Sequence, residues 1–500
     1  MITAMARRWS IALRAMLALV LILGFYLLAL ALAAGLLALP LLVRAEPALR
    51  LRLLFITLPG AAIVLWSIRP RRDPFVAPGP LLARDANPRL FQEIDAVQRQ
   101  TEQAPMTEVY LGPDVNAATA RVGGFMGIRG RSVLVVGLPL LAVLTVSQFR
   151  AVLAHEFGHH YGGETRLAPF VYRTREAILR TAATLAQEGR RFLQVPFVWY
   201  AHLFLRATLA VSRRQELAAD ALSVKVAGCR AAAEGLTRSH VAALAMPVFL
   251  RMEFVPVVEV GRLPLLIDGF VRFMRAKPVV ETLDQLLESE LAGGETSPFD
   301  SHPSLGTRLA RLESLSDSAF AQNDSSGTTL LGDADEEERR LVGGLLRSGT
   351  ELQAIAWDSV PEEVEPRIWR SRCEEFREPL AAMTVRDIAT LPTEWQPISR
   401  RLLGSSNPPE PRLGIQYVLG AALSLKLLER GWSAEGDVGE STRFRRGERQ
   451  LLLAELLHGA VNGTTAREDW EALLRDAELE PDEVLFEPEP AGVAGASRER

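Results

Sequence analysis

Two histidines with a glutamate beside the first, His155, Glu156 and His159 in RAVLAHEFGHHYGG, are the residues of this chain best equipped for chemistry. On a helix the two imidazoles lie four positions apart, so both project from one face about one turn apart. Zinc takes nitrogen ligands at about 2.0–2.1 Å in tetrahedral array, and such a pair supplies two corners. Glu156, one residue on and rotated by about 100°, can reach a water at the metal and take its proton. This is the HExxH pattern of metal-assisted hydrolysis. The bland alternative is a solvated helix face, and a third ligand decides between the two. His160 does not share the ligand face and is expected to pack or to hydrogen-bond.

The segment SRRQELAADALSVKVAG, 212–228, offers that ligand. Ser212 is a possible cap and Gly228 a stop. Glu216 and Asp220 are again four apart. A carboxylate from Glu216 completes a His-His-Glu set with one position open, as a catalytic rather than a structural site requires. Asp220, one turn later, can accept the N–H of a ligating histidine and fix its tautomer. Alone, such an acidic pair is more often an exposed face. The only cysteines, Cys229 and Cys373, stand far apart in sequence, so a cysteine-rich zinc site and a disulfide scaffold are both excluded. A net charge of −4 gives no reason to expect a nucleic-acid partner.

The elements that must hold these residues can be sketched. Ser147 is a good N-cap for the helix SQFRAVLAHEFGHHYGG, and Gly162-Gly163 end it. A helix is expected over 87–103, with Leu90, Ile94 and Val97 at helical spacing. EVYL (108–111), NAATARV (116–122) and SVLVVG (132–137) read as strands of a small antiparallel sheet just before the motif.

Residues 11–43 are almost wholly apolar, with Arg14 their only charge, and a second apolar run covers 53–68. About 20 such residues cross a bilayer, and the first run is roughly twice a signal peptide's apolar core. A transmembrane hairpin over 1–72 is expected. Arginines stand before and after it (Arg7, Arg8, Arg69, Arg71, Arg72), but Arg44, Arg50 and Arg52 lie in and near the connection, so charge leans only weakly toward both ends in the cytoplasm. A third apolar stretch, 192–211, is interrupted by Pro196, His202 and Arg206; burial or an interfacial position is at least as well supported as a span.

In combination, SVLVVGLPLLAVLTVSQFRAVLAHEFGHH, SRRQELAAD, DSHPSLGTRLARL at 300–312 and the N-terminal hairpin resemble the HtpX-like and CAAX prenyl protease family of membrane-anchored zinc metallopeptidases. The likeness covers about 85–315. It implies one zinc held by His155, His159 and Glu216, with Glu156 as general base and acid and Asp220 as a supporting carboxylate. It also returns His302 and Arg308 to the edge of the site, His302 to stabilise the oxyanion or visit the metal, Arg308 to brace Glu216 or Asp220. The family's membrane segments fall in the interval that holds 192–211. A peptide substrate would lie extended along an edge strand, NAATARV or the strand ending at Gly137.

The expected fold is α+β and mainly helical: the hairpin, a zincin-type domain at 73–315 with its small sheet, a linker at 316–333, a helical domain at 334–480 with Trp357, Trp369, Trp395 and Trp432 for its core, and a disordered tail at 481–500. The expected activity is hydrolysis of membrane or membrane-proximal proteins at a bacterial inner membrane, with the catalytic domain in the cytoplasm. Partners are the peptide substrate and the bilayer, and no feature of the sequence sets the oligomeric state. Rival readings are a catalytically weak membrane scaffold and an exported hydrolase released after the first apolar run.

Overall fold

Apolar positions at helical spacing dominate the chain, and 68% of it is helix. The computed structural model describes residues 2–43, 46–69, 75–122, 130–159, 168–293, 303–315, 322–346, 352–404 and 411–487. Contacts gather the chain into two units, 1–240 with 286–344 and 241–285 with 345–500.

In the first unit the two N-terminal apolar runs lie in α1 (Ile2–Leu42) and α2 (Pro47–Ile68), which pack along one another. Helix α3 (Pro88–Gln100) buries Leu90, Ile94 and Val97, the stripe its spacing foretold. Strands β1 (Glu108–Gly112), β2 (Ala117–Val122) and β3 (Arg131–Gly137) form one sheet in the order β1-β3-β2. Strand β2 pairs with β3 antiparallel as expected, whereas β1 pairs with it parallel, so the sheet is mixed. The reason lies in β3: its Val133, Leu134 and Val136 are buried on both faces, and a strand of that kind takes the centre. Of the two candidate edges, the strand ending at Gly137 is therefore excluded. The outer side of β1 is bonded by 80–82, through Leu82 N–H to Val109 O and Leu111 N–H to Pro80 O, each 2.9 Å. Among the described residues no strand covers the outer side of β2.

After β3 come α4 (Leu138–Val143) and α5 (Val146–Gly158). The cap of α5 is Thr145, not Ser147: the Thr145 hydroxyl accepts from Gln148 N–H, and the Gln148 side chain accepts from Thr145 N–H. Ser147 instead exchanges bonds with Asn323, accepting its N–H on the hydroxyl at 2.7 Å. Such a reciprocal box satisfies two orphan N–H groups at once, which Ser147, already the second residue of the helix, cannot do. Residues 160–167, with His160 and Gly162-Gly163, lie outside the described residues.

Helices α6 (Ala168–Gln187) and α7 (Arg191–Ala227) follow. Ser212 caps nothing, because 192–211 and 212–228 are one helix of 37 residues that stops at Gly228, where φ is 88°. No proline or glycine lies between Ala201 and Ala227 to break it. Its first half packs against the hairpin: Phe197 and Phe204 share a buried cluster with Phe25 and Ala29 of α1, Val64 of α2 and Leu185 of α6. Arg190 donates to the Ile56 carbonyl at 2.7 Å.

Among the described residues, three helical stretches are long and apolar enough to cross a membrane: Leu19–Leu42, Pro47–Ile68 and, unforeseen in the sequence, Cys229–Glu259, which contains α8 (Cys229–Phe249). Within the second unit, Phe249 of that stretch packs against Phe254, Phe270 and Trp357, while Leu244, Val248, Met252 and Val255 are exposed.

The expected boundaries at 315 and 333 do not follow the contacts. The Asn87 amide donates to Glu337 at 3.2 Å and its side-chain carbonyl accepts from Gly332 N–H at 3.0 Å, so 322–344 belongs with the first unit. The second unit packs Leu419, Ile415 and Leu423 of one central helix, Pro411–Glu429, into a core with Trp369, Trp432 and Trp470. Trp470 was not foreseen; it is buried and donates its indole N–H to the Ile388 carbonyl at 2.8 Å. Trp395 only lines that core. A three-stranded antiparallel sheet, 433–451, adds β structure that the helical expectation lacked.

Candidate metal centre

Helices α5 and α7 cross with little between them. At Gly158 an added Cβ would stand 2.7 Å from the Ala219 Cα and 2.9 Å from its Cβ, so only glycine allows this approach. The buried Phe149, Leu153 and Phe157 turn the apolar side of α5 inward and leave His155 and His159 at the edge of a cavity of about 220 Å³. From α7, Glu216 and Asp220 enter the same space, both almost wholly buried. A short helix, α9 (Leu305–Glu313), capped by the Ser304 hydroxyl on Thr307 N–H, brings Arg308.

The separations are informative. His155 Nε2 and His159 Nε2 are 3.2 Å apart. Glu216 Oε2 lies 3.4 Å from His155 Nε2, and Oε1 lies 3.7 Å from His159 Nε2. Ligands at about 2.05 Å from a tetrahedral ion stand about 3.3 Å from one another, the edge of that tetrahedron. Three atoms from two helices meet this spacing, and their types, imidazole and carboxylate, are those zinc accepts. Glu156 offers a further oxygen close to both imidazoles and lines the cavity.

Behind this set, His155 Nδ1 faces Asp220 Oδ1 at 2.9 Å, which leaves Nε2 turned toward Glu216. Arg308 grips Asp220 with two bonds, Nε to Oδ2 at 2.9 Å and Nη2 to Oδ1 at 2.7 Å. It lies 3.8 Å from Glu216, so the bracing goes to Asp220. Burial works against the His155 imidazolium, but hydrogen bonds to Asp220 and Glu216 outweigh it and push the ring up to about 9. Burial likewise opposes the Asp220 carboxylate; the bonds from Arg308 and His155 prevail and hold it below its usual range.

Of the residues singled out in the sequence, His155, Glu156, His159, Glu216, Asp220 and Arg308 come together here, while His302 lies outside the described residues. Of the cavity's other walls, Asn116 and Ala117 belong to the NAATARV segment named as a candidate substrate edge, whereas Leu140, and Leu236 and Ser239 of α8, were missed. Ala232, Leu236 and Ser239 share one helical face, a spacing visible in the sequence but carrying no chemistry of its own. Residues 86–316 match the model of peptidase family M48. No curated protein and no solved structure matches the chain.

Proposed function

Because residues 86–316 match the model of peptidase family M48, a metallopeptidase family, we propose that this protein is a membrane-anchored zinc endopeptidase. The approach of Glu216 to both imidazoles, 3.4 and 3.7 Å, is the observation that carries the proposal. His155, His159 and Glu216 hold the zinc, and Asp220, itself held by Arg308, keeps the His155 ring turned toward it. Bound there, zinc supplies Lewis acidity, bringing the pKa of a water toward about 7 and polarising the scissile carbonyl. Glu156 takes the proton of the attacking water and returns it to the leaving amine. The substrate backbone extends along β2, whose outer side is open among the described residues and whose first residue, Ala117, lines the cavity with the preceding Asn116.

Hairpin α1–α2 anchors the enzyme in a bacterial inner membrane, with the centre on the cytoplasmic side and membrane or membrane-proximal proteins as substrates. The apolar helices and the arginines beyond Ile68 support this. Metal analysis of purified protein with casein cleavage, for wild type and Glu156→Gln, tests the chemistry. One zinc per chain is expected in both, with cleavage down by about 10²–10⁴ in the variant. Equal cleavage by the two proteins, or a wild type that binds no zinc, overturns the proposal.

A further inference from the structure

Helix α7 carries two kinds of information on one rod. Its first half lies against the membrane hairpin, where Phe197 and Tyr200 contact Phe25, six positions inside the Leu19–Leu42 stretch. On the opposite side Phe192, Val195, Trp199 and Leu203 are exposed, Phe192 at 89% and Trp199 at 76%. Their spacing of three, four and four residues draws one stripe along the helix. A helix seated beside a spanning helix shares its depth, so large apolar side chains on its free face meet acyl chains. Arg206, Arg213 and Arg214 follow within three turns of Leu203, the order expected where hydrocarbon gives way to anionic headgroups. Glu216 comes next, 13 positions beyond Leu203 on a helix without proline or glycine in that interval.

We propose that α7 is a rigid spacer that fixes the height of the peptidase centre above the hydrocarbon layer and thereby selects which bonds of a membrane-tethered substrate are cut. Thirteen residues at 1.5 Å each put Glu216 about 20 Å beyond Leu203. An extended substrate rises about 3.3 Å per residue, so about six residues must separate its membrane segment from the scissile bond. Bonds closer to the bilayer cannot reach the centre. Bonds much farther out lose the advantage of tethering, because effective concentration falls with linker length.

This rests on the zinc endopeptidase reading, and two measurements keep the two apart. Full-length protein in vesicles of phosphatidylethanolamine and phosphatidylglycerol is given tethered reporters whose cleavage cassette stands 2 to 14 residues from the membrane segment. A rise of tenfold or more in cleavage is expected near six residues, with a decline at the longest spacers; equal rates at two and ten residues refute the spacer. The cassette as a free peptide reports on peptidase activity alone. The second measurement needs no activity: in a Cys229→Ser, Cys373→Ser background, Trp199→Cys, Leu203→Cys and Ala218→Cys are labelled with a membrane-impermeant maleimide in the same vesicles. Ala218 is exposed on the catalytic half of α7. Labelling at least tenfold slower at 199 and 203 than at 218 is expected, and equal labelling at 199 and 218 overturns the proposal even if no reporter is cut.

Discussion

Replacing Gly158 with alanine tests how the metal centre is assembled. Gly158 has an ordinary helical backbone, so the substitution strains no dihedral and acts only through the new methyl. That carbon would lie 2.7 Å from the Ala219 Cα, against about 3.5 Å for an ordinary carbon contact. Helices α5 and α7 must therefore part locally by about 0.8 Å. A zinc site tolerates about 0.2 Å in its ligand distances. Glu216 rides on α7 and both imidazoles on α5, so the separation falls directly on the ligand set. Overpacking of this kind costs about 1–3 kcal/mol. Charged to zinc binding, that weakens affinity by about 5- to 150-fold. Competition against a chromophoric chelator measures the affinity. Gly343→Ala serves as control, since nothing lies within 4 Å of a Cβ there. Wild-type zinc affinity and cleavage in Gly158→Ala would show that the α5–α7 approach does not position Glu216.

Three further outcomes are expected. Arg308→Lys keeps the charge but loses the two-bonded grip on Asp220, and zinc affinity should fall by about 10–100-fold, read by chelator competition; unchanged affinity would show that Arg308 is not needed to hold Asp220. For His155 the folded value of about 9 exceeds the unfolded 6.5, so without zinc its contribution to stability is whole below pH 6.5 and is lost as pH rises through 9. Zinc must displace that proton, so its affinity should climb over the same window; calorimetry in two buffers of different ionisation enthalpy counts the protons released, and a pH-independent affinity would contradict this. In the second unit, burial lifts the Glu365 carboxyl to about 7 despite the Thr442 hydroxyl at 2.9 Å. Its ionisation therefore weakens the fold as pH rises from 4.5 to 7, and Glu365→Gln should stabilise that unit at pH 8 by about 1–3 kcal/mol while adding nothing at pH 4, seen as a pH-dependent gain in Tm.

The residues that gather in the cavity were legible because metal chemistry demands rare residue types at one spacing, four apart on a helix, repeated in HEFGH and in ELAAD. The pair of long apolar helices α1 and α2 was legible from length and apolarity alone. What escaped had no such local signature. The continuity of 192–211 with 212–228 was hidden by Ser212, a residue that caps helices in one setting and sits inside them in another; with no proline or glycine between Ala201 and Ala227, the helix runs on through it. The parallel pairing of β1 depends on which strand takes the centre, and Gly112-Pro113 between strands is silent on that. Thr145 was passed over for Ser147 because both are good caps, and the choice fell to the reciprocal bond from Gln148. The grouping of 334–344 with the first unit rests on a bond between Asn87 and Glu337, residues 250 apart, which periodicity cannot reveal.

The exchange between Ser147 and Asn323 sets a lower limit on the smallest working fragment. Residues 323–327 bond the first turn of α5 at three points, Ser325 O from Val146 N–H, Asn323 O from Ser147 N–H and Asn323 N–H to the Ser147 hydroxyl, and the residue before its cap at a fourth, Gly327 N–H to Leu144 O. A chain shortened at 316, where the sequence likeness ends, would keep His155, His159 and Glu216, the proposed ligands, yet fray the helix on which the two histidines ride. Expression trials should therefore retain everything through Leu345.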